Sequence, residues 1–391
     1  MSDTFSSTAV NVPVAARGAR ASLERILARA EVQIDGGRPW DIRVHHERFF
    51  RRVLGDADLG FGESYMDGDW SCDQLDETAA RLFAAHADHA IVRPIDVLNA
   101  LIARAITRQT RTGVRRHVAP HYDLGNDLFA AMLDTRYMAY TCAYWRTGAA
   151  TLEDAQEAKL DLICRKLTLE RGMHVLDIGC GWGGLAKFAA ERYGVSVTGV
   201  TLSREQATLG SARSTGLPVE LRVSDYRDVA GRFDRVVSIG CLEHVGHRNH
   251  RRFFETIRAR LHDGGYALVH AIGVCRTEHR GGRFLDKYVF PRVNLPSMAQ
   301  IGRAIDGLFI LDDLHNIGTD YDRTLMEWNT RFQQAWPSLQ PRYGSLLDGR
   351  FKRMFEFYLL VSAGFVRSRR AQVWQMVLTP PGTRQPACRQ N

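Results

Sequence analysis

The chain has only five lysines in 391 residues, at positions 159, 166, 187, 287 and 352, so arginine supplies almost all of its positive charge. No run of eighteen apolar residues free of charge occurs, which excludes a membrane-spanning helix. Seven cysteines, an odd number without CxxC spacing, argue against a disulfide framework and against structural zinc. Reduced thiols in a cytoplasm are expected, and no metal. The first twenty residues lack the charged start and continuous apolar core of a signal peptide, and are read as a flexible tail. Internal repeats and low-complexity tracts are also missing. What is present is globular: 45% hydrophobic and 25% charged residues, at a length that suits two domains. The formal net charge of +8, from 52 Lys+Arg against 44 Asp+Glu, favours an anionic partner. A skewed genomic base composition would also enrich arginine.

The sequence divides by texture. From residue 21 to 117 a helical pattern dominates, interrupted at 59–70, where three glycines predict a packed loop or turn. From Pro94 to Arg108, Ile95, Leu98, Leu101, Ile102, Ala105 and Ile106 recur at helical spacing. Arg104, Arg108 and Arg111 fall towards the other side, and Arg115 and Arg116 follow. Such a basic amphipathic helix suits an anionic membrane surface or, more simply, packing on its own domain. From 118 to 391 short β-branched runs alternate with helical patterns: 174–178, 195–201, 219–223, 235–239 and 266–270. Runs of this kind are what parallel strands buried on both faces require. The fold class is α/β: a doubly wound, Rossmann-like domain preceded by a smaller, mostly helical one. The last strands are expected to be antiparallel, with 371–378 the best candidate.

After the first of these strands comes Val175-Leu-Asp-Ile-Gly-Cys-Gly-Trp-Gly-Gly184. Its glycines let the backbone turn sharply and approach a ligand beside a helix N-terminus. The spacing is GxGxGG rather than the dinucleotide GxGxxG, and Asp177 stands at the loop mouth. This resembles the S-adenosylmethionine loop of class I methyltransferases. The second strand ends without the acidic residue a dinucleotide enzyme carries, and offers Thr201, Ser203 and Gln206 instead. Asp225 and Tyr226 follow the third strand, where a carboxylate and an aromatic face suit an adenine; Asp225 is also a candidate turn cap.

Further motifs narrow the family. Gly62-Glu-Ser-Tyr-Met-Asp-Gly68, His121-Tyr-Asp-Leu-Gly-Asn-Asp127, Tyr140-Thr-Cys-Ala-Tyr-Trp145, Leu242-Glu-His-Val-Gly246, Lys287-Tyr-Val-Phe-Pro291 and Asp320-Tyr-Asp-Arg-Thr-Leu-Met326 occur in order. Together with the glycine loop they resemble the cyclopropane-fatty-acyl-phospholipid synthases, bacterial enzymes that methylenate unsaturated acyl groups. The resemblance implies S-adenosyl-L-methionine as cofactor, enclosed by Tyr140, Thr141, the Val175–Gly183 loop with Asp177, Gly179, Gly181 and Gly183, and the Thr201–Gln206 segment. It implies a bicarbonate ion held by Cys142, Glu243, His270, Ile272 and Tyr321. It also implies a lipid-engaging N-terminal domain, unsaturated phospholipids as partners at the inner face of the cell membrane, no nucleic acid, and a homodimer. Two departures stand out. Asp69 replaces a common aromatic residue, with an altered lipid-facing surface expected, and Ser362 stands where relatives carry a cysteine, so no thiol is needed there.

An alkene attacking a sulfonium methyl leaves a carbocation, and ring closure then needs loss of one proton. The site must exclude water, spread positive charge and place a weak base. Glu243 and His270, at the ends of adjacent strands, are candidates for organising that base, with Tyr321. Among the aromatics, Tyr122, Phe129, Tyr140, Tyr144 and Trp145, with Tyr288 and Phe290, are candidates for an acyl tunnel. The Gly281-Gly282 pair before Arg283-Phe-Leu-Asp-Lys-Tyr-Val-Phe-Pro291 suggests a mobile flap near the lipid entrance. Competing readings are a C-methyltransferase that leaves a methyl branch on the acyl group, a small-molecule N-methyltransferase of the same fold, and a non-catalytic lipid binder. A nucleic-acid methyltransferase is disfavoured, because Cys241-Leu-Glu-His-Val245 stands where an NPPY-like motif would be.

Overall fold

A computed structural model describes residues 14–87, 125–277, 282–344 and 347–388. The basic helix expected from Pro94 onwards, the 117/118 boundary, Tyr122 and Gly281 lie outside the described residues. The N-terminal region comprises α1 (Val14–Ala28), β1 (Arg43–Val44), α2 (Arg48–Met66), β2 (Trp70–Ser71) and α3 (Leu75–Ala84). Residues 14–20, expected in the tail, are thus the first turns of α1.

The remainder alternates strands and helices. α4 (Asn126–Met132) and α5 (Leu152–Lys166) precede β3 (His174–Ile178), α6 (Gly184–Tyr193), β4 (Ser196–Thr201), α7 (Arg204–Arg213) and β5 (Val219–Val223). β6 (Phe233–Ile239), α8 (Leu242–Val245), α9 (His250–Arg260) and β7 (Leu261–Val274) follow. α10 (Arg283–Tyr288), α11 (Met298–Ile305), β8 (Ile310–Asn316), α12 (Thr319–Tyr343), α13 (Gly349–Arg367) and β9 (Ala371–Thr379) complete the described elements. Seven strands form one sheet in the order β5-β4-β3-β6-β7-β9-β8. β3 to β7 pair in parallel, and β9 runs antiparallel to both β7 and β8. The doubly wound sheet and the antiparallel 371–378 strand are therefore as expected. The edge strand β8 was not anticipated: Asp312, Asp313 and His315 interrupt its apolar pattern, and Ile310 and Leu314 remain exposed.

The glycine-rich segment 59–70 differs from expectation. Residues up to Met66 are helical, the last part of α2, and the backbone departs from helical geometry at Ala57 (φ 49°, ψ −126°). Only Asp67–Asp69 turns. Gly62 lets the ring of Phe284, on α10, approach the helix backbone, a space a Cβ would occupy. Asp69 is also not where a surface role needs it. It is wholly buried and accepts from Arg48 Nε (2.6 Å) and Arg52 Nη1 (2.8 Å). An aspartate here answers two guanidiniums, so the expected change in a lipid-facing surface is corrected to an internal ion-pair cluster.

One hydrophobic cluster runs through both parts of the molecule. It joins Phe49 and Trp70 to Phe129, Trp328 and Phe355, and α2 packs against the C-terminal helix α13. α10 is fastened to α2 by polar contacts: Lys287 Nζ and the Tyr288 hydroxyl both donate to Glu63 Oε1 (2.6 and 2.8 Å), and the Phe284 amide donates to Asp58 (3.0 Å). The segment expected as a flap is therefore a short helix held against the N-terminal region. Gly62→Val should drive Phe284 off α2 and cost about 1–3 kcal/mol of stability through overpacking. Thermal unfolding checks this; an unchanged midpoint would show that α10 yields without penalty.

Candidate active site

The central strand β3 carries Asp177 in register with Gly199 on β4 and Val237 on β6. This is the crevice where doubly wound sheets bind ligands. Beyond it, the Gly179 and Cys180 amides both donate to the Val200 carbonyl (2.9 and 3.0 Å). Gly179, Gly181 and Gly183 all take positive φ, at 79°, 55° and 75°. A left-handed backbone at three alternate residues favours glycine and produces the tight loop.

One cavity collects nearly all the expected cofactor residues. Tyr140, Thr141, Asp177, Gly179, Gly181, Thr201, Ser203, Gln206, Asp225 and Tyr226 line it. Gly183 does not. It caps α6, and a Cβ there would fall 2.8 Å from Leu221 Cδ1, so this glycine serves helix–strand packing. Thr201 Oγ1 donates to Gln206 Oε1 (2.7 Å), and Ser203 Oγ caps α7 by accepting from the Gln206 amide (3.3 Å). Asp225 has a second occupation. It accepts from the Arg227 amide (3.0 Å) and pairs with the Arg227 guanidinium (2.5 Å), so it caps a turn while facing the cavity. The Tyr226 ring stands edge-on to Phe253 at 5.3 Å.

Two buried charges were not anticipated as a unit. Lys159, on the sheet-facing side of α5, donates to Thr141 Oγ1 (2.8 Å). Burial pushes its ammonium down to about 8, against the pull of Asp134 first and then Cys142 and Asp177. Burial pushes Asp177 up to about 7, with only the Lys159 charge opposing. The available signal was periodicity: Lys159 lies three residues after the buried Gln156 on one stripe of α5.

A second cavity adjoins the first, and Tyr140, Thr141, Gly240 and His244 line both. The whole expected cluster, Cys142, Glu243, His270, Ile272 and Tyr321, lines this second cavity together with Ser362. Glu243 Oε1 accepts from the Ile272 amide at 2.6 Å, while its Oε2 is buried without a partner. The N–H of Ile272, one of the residues the resemblance implies for bicarbonate, is thus engaged by the Glu243 carboxyl, because α8 sets Glu243 directly beside the end of β7. Burial raises Glu243 to about 7, with the Ile272 amide partly opposing. His270 is held well below its ordinary value by burial, and its Nδ1 has no partner. The Cys142 thiol is pushed up by burial, so it is no ready nucleophile.

His244 was missed by the reading of the sequence. Burial lowers it to about 4, so its imidazole is neutral at the junction of the cavities, with its ring 6.0 Å from that of Phe290. Of the seven candidate tunnel aromatics, Tyr140 and Phe290 line the second cavity. Phe129 stands edge-on behind Tyr140 at 5.2 Å, Trp145 donates to Thr324 (3.0 Å), and Tyr144 meets His315. These three, with Tyr288 on α10, belong to the framework.

Residues 109–376 match the model of the family described as mycolic acid cyclopropane synthetase. The chain belongs to that family. Over 355 residues it is 45% identical to the cyclopropane-fatty-acyl-phospholipid synthase of Escherichia coli strain K12, covering 90% of this chain and 91% of that one. It is 36% identical over 353 residues to the tuberculostearic acid methyltransferase UfaA1 of Mycobacterium tuberculosis, covering 85% and 81%. Among solved structures, mycolic acid cyclopropane synthase CmaA1 complexed with SAH and CTAB superposes with a TM-score of 0.63 at 29% identity, covering 68% of this chain and 97% of that one. Family membership makes the protein an S-adenosylmethionine-dependent methyltransferase, the class its glycine loop implies.

The raised pKa of Glu243 has a consequence for stability. The folded protein keeps this proton where the unfolded polypeptide has lost it, so the group destabilises increasingly as pH rises from 4.5 to about 7. The full effect is on the order of 3 kcal/mol. Glu243→Gln removes the contribution, so in thermal unfolding across that window the variant should gain on wild type as pH rises. Parallel curves would place the ionisation elsewhere.

Proposed function

We propose that the protein is a cyclopropane-fatty-acyl-phospholipid synthase, acting on a cis double bond in an acyl group of a membrane phospholipid. The observation that carries this reading is the junction of two cavities. One is lined by glycines, hydroxyls and the carboxyl groups of Asp177 and Asp225; the other is walled by side chains such as Leu285, Phe290, Leu325 and Phe365 and contains the Glu243–His270 cluster. The first fits S-adenosylmethionine. Asp177 is a buried acid that a cationic ligand would ionise, Thr201 and Gln206 offer polar contacts, and Gly179 and Gly181 keep the loop backbone bare. When bound, that group supplies a sulfonium methyl electrophile, which an alkene attacks without a metal.

The protein's own residues do the rest. The apolar wall excludes water that would trap the carbocation. Tyr140 and Phe290 offer π faces to positive charge, and neutral His244 adds none of its own at the junction. The Ile272 amide fixes Glu243 so that Oε2 is free to take up or share a proton. By family resemblance, a bicarbonate held among Cys142, Glu243, His270, Ile272 and Tyr321 would supply a base weak enough to accept the proton that ring closure releases. A second reading makes Glu243 itself the base. It is favoured by the engaged Ile272 amide and by a carboxyl near 7, which can accept a proton at neutral pH.

Incubation with labelled cofactor and unsaturated phospholipid vesicles should yield a product heavier by one CH2 and lacking the double bond, read by mass spectrometry. A methyl branch or no lipid product would overturn the proposed activity. Glu243→Gln and His270→Ala should lose turnover while keeping affinity for S-adenosylhomocysteine, and Ser362→Ala should be close to neutral. Carbonate depletion that slows the enzyme, with recovery on adding bicarbonate, supports the anion. Indifference to bicarbonate with an inactive Glu243→Gln assigns the base to Glu243.

The reading includes peripheral association of a cytoplasmic enzyme with the inner face of the membrane. It is supported by the arginine pattern of residues 104–116 in the sequence and by the absence, among the described residues, of any helix long and apolar enough to cross a membrane. Replacing Arg104, Arg108, Arg111 and Arg115 by Gln should weaken binding to anionic vesicles by roughly 1 kcal/mol per charge near the surface. The loss should shrink as salt rises. Unchanged co-sedimentation at low salt would return this segment to an internal packing role.

A further inference from the structure

β7, β9 and β8 lie side by side, and their register sets His270 opposite Gln375 and Gln375 opposite His315. Directly opposed residues on antiparallel strands share a face of the sheet, with Cβ atoms about 4.5–5.5 Å apart. The three side chains therefore form one row, from the cavity that His270 lines to the edge strand. A second opposed pair supports the face: Val274 and Ala371, four residues along each strand, line the same cavity.

Gln375 is 0% exposed, yet neither its Oε1 nor its Nε2 has a hydrogen-bond partner. His270 Nδ1, on the neighbouring strand, is likewise buried and unpartnered. The neighbours of Gln375 on the same face of β9, Val373 and Val377, are apolar and wholly buried, so packing alone would be served by another apolar residue. Buried polar groups are almost always satisfied, and here an amide donor stands beside a ring nitrogen that can accept. His315 completes the row. It is half-buried, with its ring edge-on to Tyr144 at 5.7 Å.

We propose that Gln375 is a positioning residue for His270, its amide N–H donating to Nδ1 so that the imidazole hydrogen resides on Nε2, the nitrogen left to serve the cavity. His315 donates to the amide Oε1 and fixes which way the amide points. The tautomer of a histidine is set by the partner of its other nitrogen, so an amide on the strand next to the sheet edge decides whether His270 can donate into the base cluster. This rests on the reading above in which His270 serves that cluster.

The test uses the full-length protein with nitrogen-15-labelled histidine. The His270 resonances, assigned by their loss in His270→Ala, should report the Nε2–H tautomer in the wild type. Gln375→Met keeps the shape and removes the amide. It should release that tautomer and lower kcat on dioleoyl-phosphatidylglycerol vesicles by about tenfold or more, with KM for S-adenosylmethionine unchanged. Gln375→Glu, which accepts and does not donate, should move the hydrogen to Nδ1 or charge the ring. An Nδ1–H tautomer in the wild type would overturn the proposal, and this measurement stands even if a variant fails to fold. Wild-type kcat and unshifted resonances in Gln375→Met would overturn it too. A fully active His270→Ala would bring down the underlying reading of the cluster instead, whatever the tautomer.

Discussion

The hydrogen bond from the Ile272 amide to Glu243, at 2.6 Å, is the joint around which the site is organised. It ties the short helix α8 to the end of β7, and the Glu243 carbonyl in turn accepts the Asn294 amide at 3.0 Å, bringing in the segment that follows α10. Neighbouring His244 is thereby held between the two cavities. A buried carboxylate requires such a partner, because desolvation without compensation would drive it neutral or expel it. With one oxygen satisfied and the other not, Glu243 sits near the point where either protonation state is accessible.

The same logic of partly compensated burial runs across the sheet. Asp177 and Lys159 perturb each other beneath the glycine loop, and Lys159 reaches the second cavity through its hydrogen bond to Thr141 and through its charge on Cys142 and His270. Lys166 is different: it meets Asp313 at 2.7 Å and forms a closed pair. The groups lining the cavities are left incompletely matched, while the Lys166–Asp313 pair is satisfied. Incomplete matching is what allows a ligand's charge to change their state, and perturbed groups gather at functional sites for that reason.

The described residues of the N-terminal region contribute to this arrangement without lining the cavity that holds the cluster. α2 supplies Glu63 and Asp58 to α10, and Leu285 and Asp286 of α10 line the second cavity. The glycines that suggest a loop in the sequence permit this close approach inside a helix. Local propensity was overruled there by packing against Phe284, a residue more than two hundred positions away.

Much of the site was legible in the sequence because its signals are local. Runs such as Val175–Ile178 alternate with helices because parallel strands are buried on both faces, and the positive-φ loop with Asp177 at its mouth must be read within ten residues. Glu243 and His270 were legible as strand-end residues, but Cys142, Ile272 and Tyr321 only through resemblance, since nothing local ties Cys142 to Tyr321. Tertiary structure decided what depends on register and burial: that Gly183 packs rather than lines, that Asp225 answers Arg227, that Asp69 is internal, and that β8 forms an edge. It alone set Gln375 beside His270, and placed His244 and Lys159 among neighbours that shift their ionisation. A polar residue brings its chemistry from the sequence, but its protonation and partners come from distant segments that the fold brings within a few ångströms.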